Sequence, residues 1–340
     1  MLSQRRRINQ RFPGKGFSLV ELMVAITISL VLLAGLIQIF ISSKLSYSIQ
    51  DSIARMQENG RYAVELLSKD LRLAGYMGGN ADVITITGTQ PVSNNCVGSA
   101  DAAWGAMIEQ SVFGLNDALA DPTANYTGCI TAAGTNPQSN DYLSGDVLII
   151  RYARPTQLVK TDKVSNSGYY LNSSPMQGEI APLIENNDID FDSIDGINGI
   201  PKTYNKLESY AYYIGHQQAD CNGNETAVPT LSRLSISASD SGTTPQRQEI
   251  IRGIENLQVR YGEDSNNDGS PDQYHNADAV TDWNMVKAVR LWFLVRDECP
   301  SGSYQNDNDY EMAGNTFTFN DNFRRHLYTT TVMLRNNEAI

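Results

Sequence analysis

A single carboxylate, Glu21, stands in a run of 25 residues, Phe17 to Ile41, that has no other ionisable group and no proline. An acid at bilayer depth costs on the order of 3 kcal/mol, so such a residue is functional by default and calls for a cationic partner. A second cluster is Asp264-Ser265-Asn266-Asn267-Asp268-Gly269-Ser270-Pro271-Asp272. Asp264, Asn266, Asp268 and Asp272 occupy loop positions one, three, five and nine, with glycine at six, which is the first part of a calcium loop of the EF-hand kind. The pattern breaks at position twelve, where His275 replaces a bidentate glutamate, and no helical pattern flanks the loop. Asp278 or Asp282 could complete the shell. Without a metal, the stretch reads as an Asx-rich turn. The sequence requires no cofactor, and calcium is the one it suggests.

Four cysteines, Cys96, Cys129, Cys221 and Cys299, show no CxxC spacing and no histidine nearby, which argues against zinc. In an oxidising compartment disulfides are the default. Pairing sequence neighbours, Cys96 with Cys129 and Cys221 with Cys299, closes the smaller loops, though the sequence leaves all three pairings open. Only three histidines exist (His216, His275, His326), in unrelated contexts, and no GxSxG, HExxH or phosphate-cradling glycine loop occurs. The chain is not expected to be an enzyme.

The elements that carry these residues divide sharply in character. Residues 1–16 hold five cations and no acid, leaving 21 cations against 38 acids in the remainder, a net charge of −17. So acidic a bulk argues against nucleic acid as the main partner, while leaving room for local basic patches such as Arg324 with Arg325. At about 1.5 Å per residue the Phe17–Ile41 run spans a hydrocarbon core of about 30 Å. The basic block before it and the lone Lys44 after it predict a cytoplasmic N-terminus and a periplasmic bulk. A secretory signal would be shorter and end in a small-residue cut site, and a plain anchor would not explain Glu21.

Beyond the apolar run, Leu45, Ile49, Ile53, Met56, Ala63, Val64, Leu67 and Leu71 recur at three- and four-residue steps, the stripe of an amphipathic helix. Asp51 with Arg55 and Glu65 with Lys69 support it at i and i+4. One long helix over 17–76 is expected, ended by Gly75, Gly78 and Gly79, with Gly35 and Gly60 as sites of close packing. Residues 77–340 then read as a β-rich, mainly antiparallel head, making the whole an α+β protein. The expected strands are Val83–Thr87, Asp146–Arg154, Glu208–Ile214, Leu231–Ser237, Ile254–Tyr261, Val286–Arg296 and Tyr328–Leu334. Residues 93–140 are expected to be mostly loop, with a short helix near Asp101–Gln110.

Gly16-Phe17-Ser18-Leu19-Val20-Glu21, after an arginine-rich leader and before an apolar run, resembles the type IV prepilin signature. The helix end Asp70-Leu71-Arg72-Leu73-Ala74-Gly75-Tyr76 and the C-terminal Phe323-to-Asn336 run resemble the PilW-like minor pilins. The resemblance implies that a prepilin peptidase cuts between Gly16 and Phe17, removing a 1–16 leader, and N-methylates Phe17. It implies that Glu21 pairs with the terminal amine of a neighbouring subunit. It further implies other minor pilins and the major pilin as partners, and an inner-membrane precursor that passes to the pilus and cell surface. The expected role is a priming or tip complex that supports pilus biogenesis and twitching motility. A type II secretion pseudopilin shares the signature, and a pilin-anchored adhesin would need exposed loop aromatics such as Trp104, Tyr126, Tyr169 and Tyr170.

Overall fold

The computed structural model describes residues 16–79, 86–87, 110–117, 130, 142–158, 169–181, 203–221, 223–239, 242–302 and 304–337. Among them α1 (Leu19–Leu73) precedes the strands β1 (Ile86–Thr87), β2 (Val112–Leu115), β3 (Ser144–Gln157), β4 (Tyr169–Ser174), β5 (Gln177–Ala181), β6 (Thr203–Cys221) and β7 (Asn224–Ser239). There follow β8 (Gly242–Arg252), β9 (Ile254–Glu263), β10 (Gln273–His275), β11 (Val286–Arg296), β12 (Asp309–Met312), β13 (Asn315–Thr318) and β14 (Arg325–Met333). Two compact units divide between Ile53 and Ala54, inside α1.

In the first unit the helix is apolar on every side as far as Ile41, Glu21 apart, and its large side chains are exposed, Phe17 at 88% and Leu36 at 64%. A helix of that kind belongs in lipid or among other apolar helices. It is the one helix among the described residues long and apolar enough to cross a membrane.

In the second unit α1 becomes one-sided. Met56, Gly60, Ala63, Leu67 and Leu71 are buried at three- and four-residue steps, while Arg55, Glu58, Arg61, Glu65, Lys69 and Arg72 stay outside. Gly75 ends the helix with φ +78°, and the Asn336 amide donates to the carbonyls of Arg72 and Ala74 (3.4 and 3.3 Å). Carbonyls that would be orphaned at the helix end thus find donors.

Two sheets receive the stripe. One has the order β1-β5-β4-β6-β3-β2, with β7 on β6 and β8 on β7; the other is β10-β9-β11-β14. Strand β6 keeps β3 on one side and takes β4 and then β7 in succession on the other. All these pairs are antiparallel except the short parallel β1–β5. The helix packs with Leu148, Ile150, Tyr210, Tyr212, Leu257, Val259, Leu291, Phe293 and Val332 into one core between the sheets. Residues of opposite parity, Val147, Ile149, Ala211 and Tyr213, form a second cluster on the far face of the larger sheet. Burial on both faces explains why β3 reads as an unbroken apolar run rather than an alternating one.

Of the expected strands, Val83–Thr87 survives among the described residues only as Ile86–Thr87, and the expected helix at Asp101–Gln110 lies outside them save for Gln110. Val112–Leu115, expected as loop, is the edge strand β2.

Buried charge locks the helix end to the sheet. Asp70 is 4% exposed in the last turn of α1, where an acid opposes the helix dipole. Its carboxylate instead accepts the hydroxyls of Tyr152 (3.1 Å) and Tyr212 (2.5 Å). Burial still pushes its pKa up. Asp146, near the start of β3, accepts the N–H groups of Asp117 (3.1 Å) and Val259 (2.7 Å), the second of these tying the larger sheet to β9. Burial pushes its carboxyl from 3.8 up to about 7.

Two tests follow from this packing. A Cβ at Gly60 would enter the ring of Tyr328. Gly60→Ala should therefore destabilise the head by about 1–3 kcal/mol in chemical denaturation, although alanine favours a helix by about 1 kcal/mol. Because the folded Asp146 holds its proton more tightly than the unfolded chain, its contribution to stability is present below the unfolded pKa and fades as pH rises through about 7. Melting of the detergent-solubilised protein should show stability falling with pH by up to about 1.4 kcal/mol per unit in that window, and Asp146→Asn should flatten the fall.

Candidate functional site

Ser18 and Glu21 build the start of α1. The Ser18 N–H donates to Glu21 Oε2 (3.0 Å), and Ser18 Oγ accepts the Val20 N–H (3.3 Å). This is half of a capping box: the third helical residue satisfies the N-cap amide, while the N-cap side chain takes the amide of Val20 rather than that of Glu21. Glu21 thus shapes the helix end next to Phe17 and Gly16, and among the described residues no donor reaches its other carboxylate oxygen, Oε1. Ser18 is the functional residue that the sequence reading passed over, although the S-x-x-E spacing was there to find it.

The Asp264 loop folds on itself. Asp264 is fully buried and accepts the amides of Asp268 (3.1 Å) and Gly269 (2.8 Å). Asn266 Oδ1 also takes the Asp268 amide (2.9 Å), and Asp268 takes that of Ser270 (2.9 Å). Asp272 accepts from the Ser265 hydroxyl (2.7 Å) and from the Ser265 and Asn266 amides (2.9 and 3.2 Å), which hold its carboxyl below the usual range. Asn267 and Gly269 carry the turn with φ +58° and +88°. Asp278 and Asp282 are engaged elsewhere, by Asn116 and by the Asn284 amide. Among the described residues no three His, Cys, Asp or Glu side chains gather as a metal would require. The spacing that suggests calcium also lets the loop close on its own amides.

Cys221 and Cys299 form a disulfide with Cα atoms 5.5 Å apart, tying the β6–β7 turn to the segment after β11. At a sequence separation of 78, such a link contributes about 4 kcal/mol by restricting the unfolded chain. Cys96 and Cys129 lie outside the described residues, as do Trp104 and Tyr126. Tyr170 is 5% exposed and serves the core, so it offers no recognition surface. The basic pair is also structural. Arg325 is held by Glu255 and Asp321 (2.5 and 2.6 Å), and Arg324 sits over the Tyr304 ring beside Asp297. His216, His275 and His326 lie apart on β6, β10 and β14.

Gly269→Ala tests the loop. No atom crowds the position, so the loss should reflect the left-handed backbone alone, about 1 kcal/mol of head stability by denaturant titration.

Residues 13–37 match the family model of the prokaryotic N-terminal methylation motif, which takes in Gly16, Phe17, Ser18 and Glu21. Residues 211–336 match that of the type IV pilus-assembly protein W, from the middle of β6 to beyond β14. Neither a curated protein nor a solved structure matches the chain. These families are structural, not enzymatic. A membrane-type helix opened by the methylation motif, and a β-rich head matched over its second sheet, support a PilW-like type IV prepilin, a minor pilin of type IV pilus assembly.

Proposed function

We propose that a prepilin peptidase cuts this minor pilin between Gly16 and Phe17 and methylates the new Phe17 amine, after which Glu21 pairs with the amine of a neighbouring subunit. With other minor pilins it then forms a priming or tip complex to which the major pilin is added, supporting pilus biogenesis and twitching motility. Until assembly the protein is held in the inner membrane, N-terminus cytoplasmic and head periplasmic. The observation that carries this reading is the Glu21 carboxylate, held at the first turn of an apolar helix within one turn of Phe17. An unpaired acid there costs on the order of 3 kcal/mol in lipid, and an amine partner offsets that cost.

Two variants separate the charge from the cap. Glu21→Gln keeps an oxygen for the Ser18 amide and loses the charge; Glu21→Ala loses both. Both should insert in the membrane and be cut, and both should impair piliation, scored by electron microscopy and shear-fraction blotting. Normal piliation with Glu21→Gln would sink the charge-pairing reading. Intact mass should give a chain starting at methylated Phe17 only in cells that contain the peptidase.

A further inference from the structure

The peptide bond between Gly16 and Phe17 stands just clear of α1. Gly16, Phe17 and Ser18 belong to no helix or strand, and the helix begins at Leu19. A main-chain bond from the Leu22 N–H to Ser18 O (3.1 Å) opens it. Ser18 is therefore the N-cap, joined to the helix by its carbonyl while the chain before it stays outside.

Side-chain chemistry fixes the boundary at that residue. Ser18 Oγ accepts the Val20 N–H (3.3 Å), and the Ser18 N–H is itself held by Glu21 Oε2 (3.0 Å). From Gly16 to Val20 no other side chain carries an acceptor, the neighbours being glycine, phenylalanine, leucine and valine. Packing does not set the boundary. Phe17 is 88% exposed, and among the described residues no atom lies within 4 Å of where a Cβ on Gly16 would stand.

A peptidase must reach a carbonyl carbon and grip the chain on both sides of it. Inside a helix the carbonyl points along the axis into a hydrogen bond, and the adjacent turns cover its flanks. Cutting of such a bond tracks the fraction of chains in which it is out of the helix. We propose that Ser18 is a positioning residue for the cut: as N-cap it stops α1 short of the Gly16–Phe17 bond, and so presents that bond to the peptidase as non-helical chain. The inference rests on the cut between Gly16 and Phe17 proposed above.

Ser18→Ala acts on the boundary in two ways. It removes the one side-chain acceptor at the helix end, and it puts the best helix former where the helix should stop. Losing a cap shifts such a balance about fivefold. Ser18→Asn differs from serine in size and shape, yet asparagine caps a helix about as well.

The test measures initial cutting rates on the full-length protein in detergent, with the prepilin peptidase of its host and with that host's major pilin as a control substrate. Intact mass follows the chain that begins at Phe17. Ser18→Ala should be cut about fivefold more slowly than the wild type, and Ser18→Asn within about twofold of it. Ser18→Ala cut at the wild-type rate overturns the proposal and leaves the cut site standing. Equal slowing of both variants also overturns it, because the peptidase then reads the serine hydroxyl itself and not the helix boundary. A wild type left whole, or cut elsewhere, by peptidase that processes the control overturns the processing step on which the proposal rests.

Discussion

The head depends on one constraint: a helix whose second half is apolar on only one side must bury that side, and residues of both sheets join to cover it. The α1 stripe from Met56 to Leu71 therefore sits where β3 and β6 of one sheet and β9, β11 and β14 of the other converge. The two sheets are joined at that place by more than apolar contact. Ser144 donates to Glu255 O, Asp146 accepts from Val259, and Gly145 lets the two backbones approach where any side chain would strike Leu257. Helix, strand start and glycine solve a single packing problem.

Polar groups then fix what apolar packing leaves free. A hydrophobic stripe tolerates a small rotation or slide of the helix, whereas Asp70 between two tyrosine hydroxyls does not. Arg325, 1% exposed between Glu255 and Asp321, fixes the start of β14 in the same way. Such groups are costly to bury, and their value lies in setting register rather than in net stability.

Much of this was legible in the sequence, for identifiable reasons. The helix stripe, β3, β9, β11 and β14 all carry the periodicity that burial imposes, and the capping serine and Gly75 mark the ends of α1 near the expected limits. Strand β6 runs further than expected, because Gln218 and Asp220 extend into solvent where nothing imposes an apolar pattern. Strand β4 was missed because Asn172, Ser173 and Ser174 look like a turn, yet they are buried and bonded, Asn172 to the Tyr204 hydroxyl and Ser173 to Thr203. At the N-terminus the sequence pointed to Glu21 through its charge in an apolar run and through the signature from Gly16 to Glu21. Its hydrogen-bonding role needed the position of Ser18, which is a matter of geometry rather than composition.

That second role bears on the order of events at the membrane. The amide end of a helix carries about half a positive charge. In the uncut chain, Glu21 is there to answer that partial charge and the Ser18 amide. A cut before Phe17 would add a full positive charge beside the same end, so that two positive centres share one carboxylate. The processed subunit would then hold more cation than its own first turn neutralises, while an incoming neighbour brings the same carboxylate and the same excess. Proteolysis there would do more than remove a leader: it would set a cation and an anion side by side at each helix tip, which two neighbouring tips could pair reciprocally.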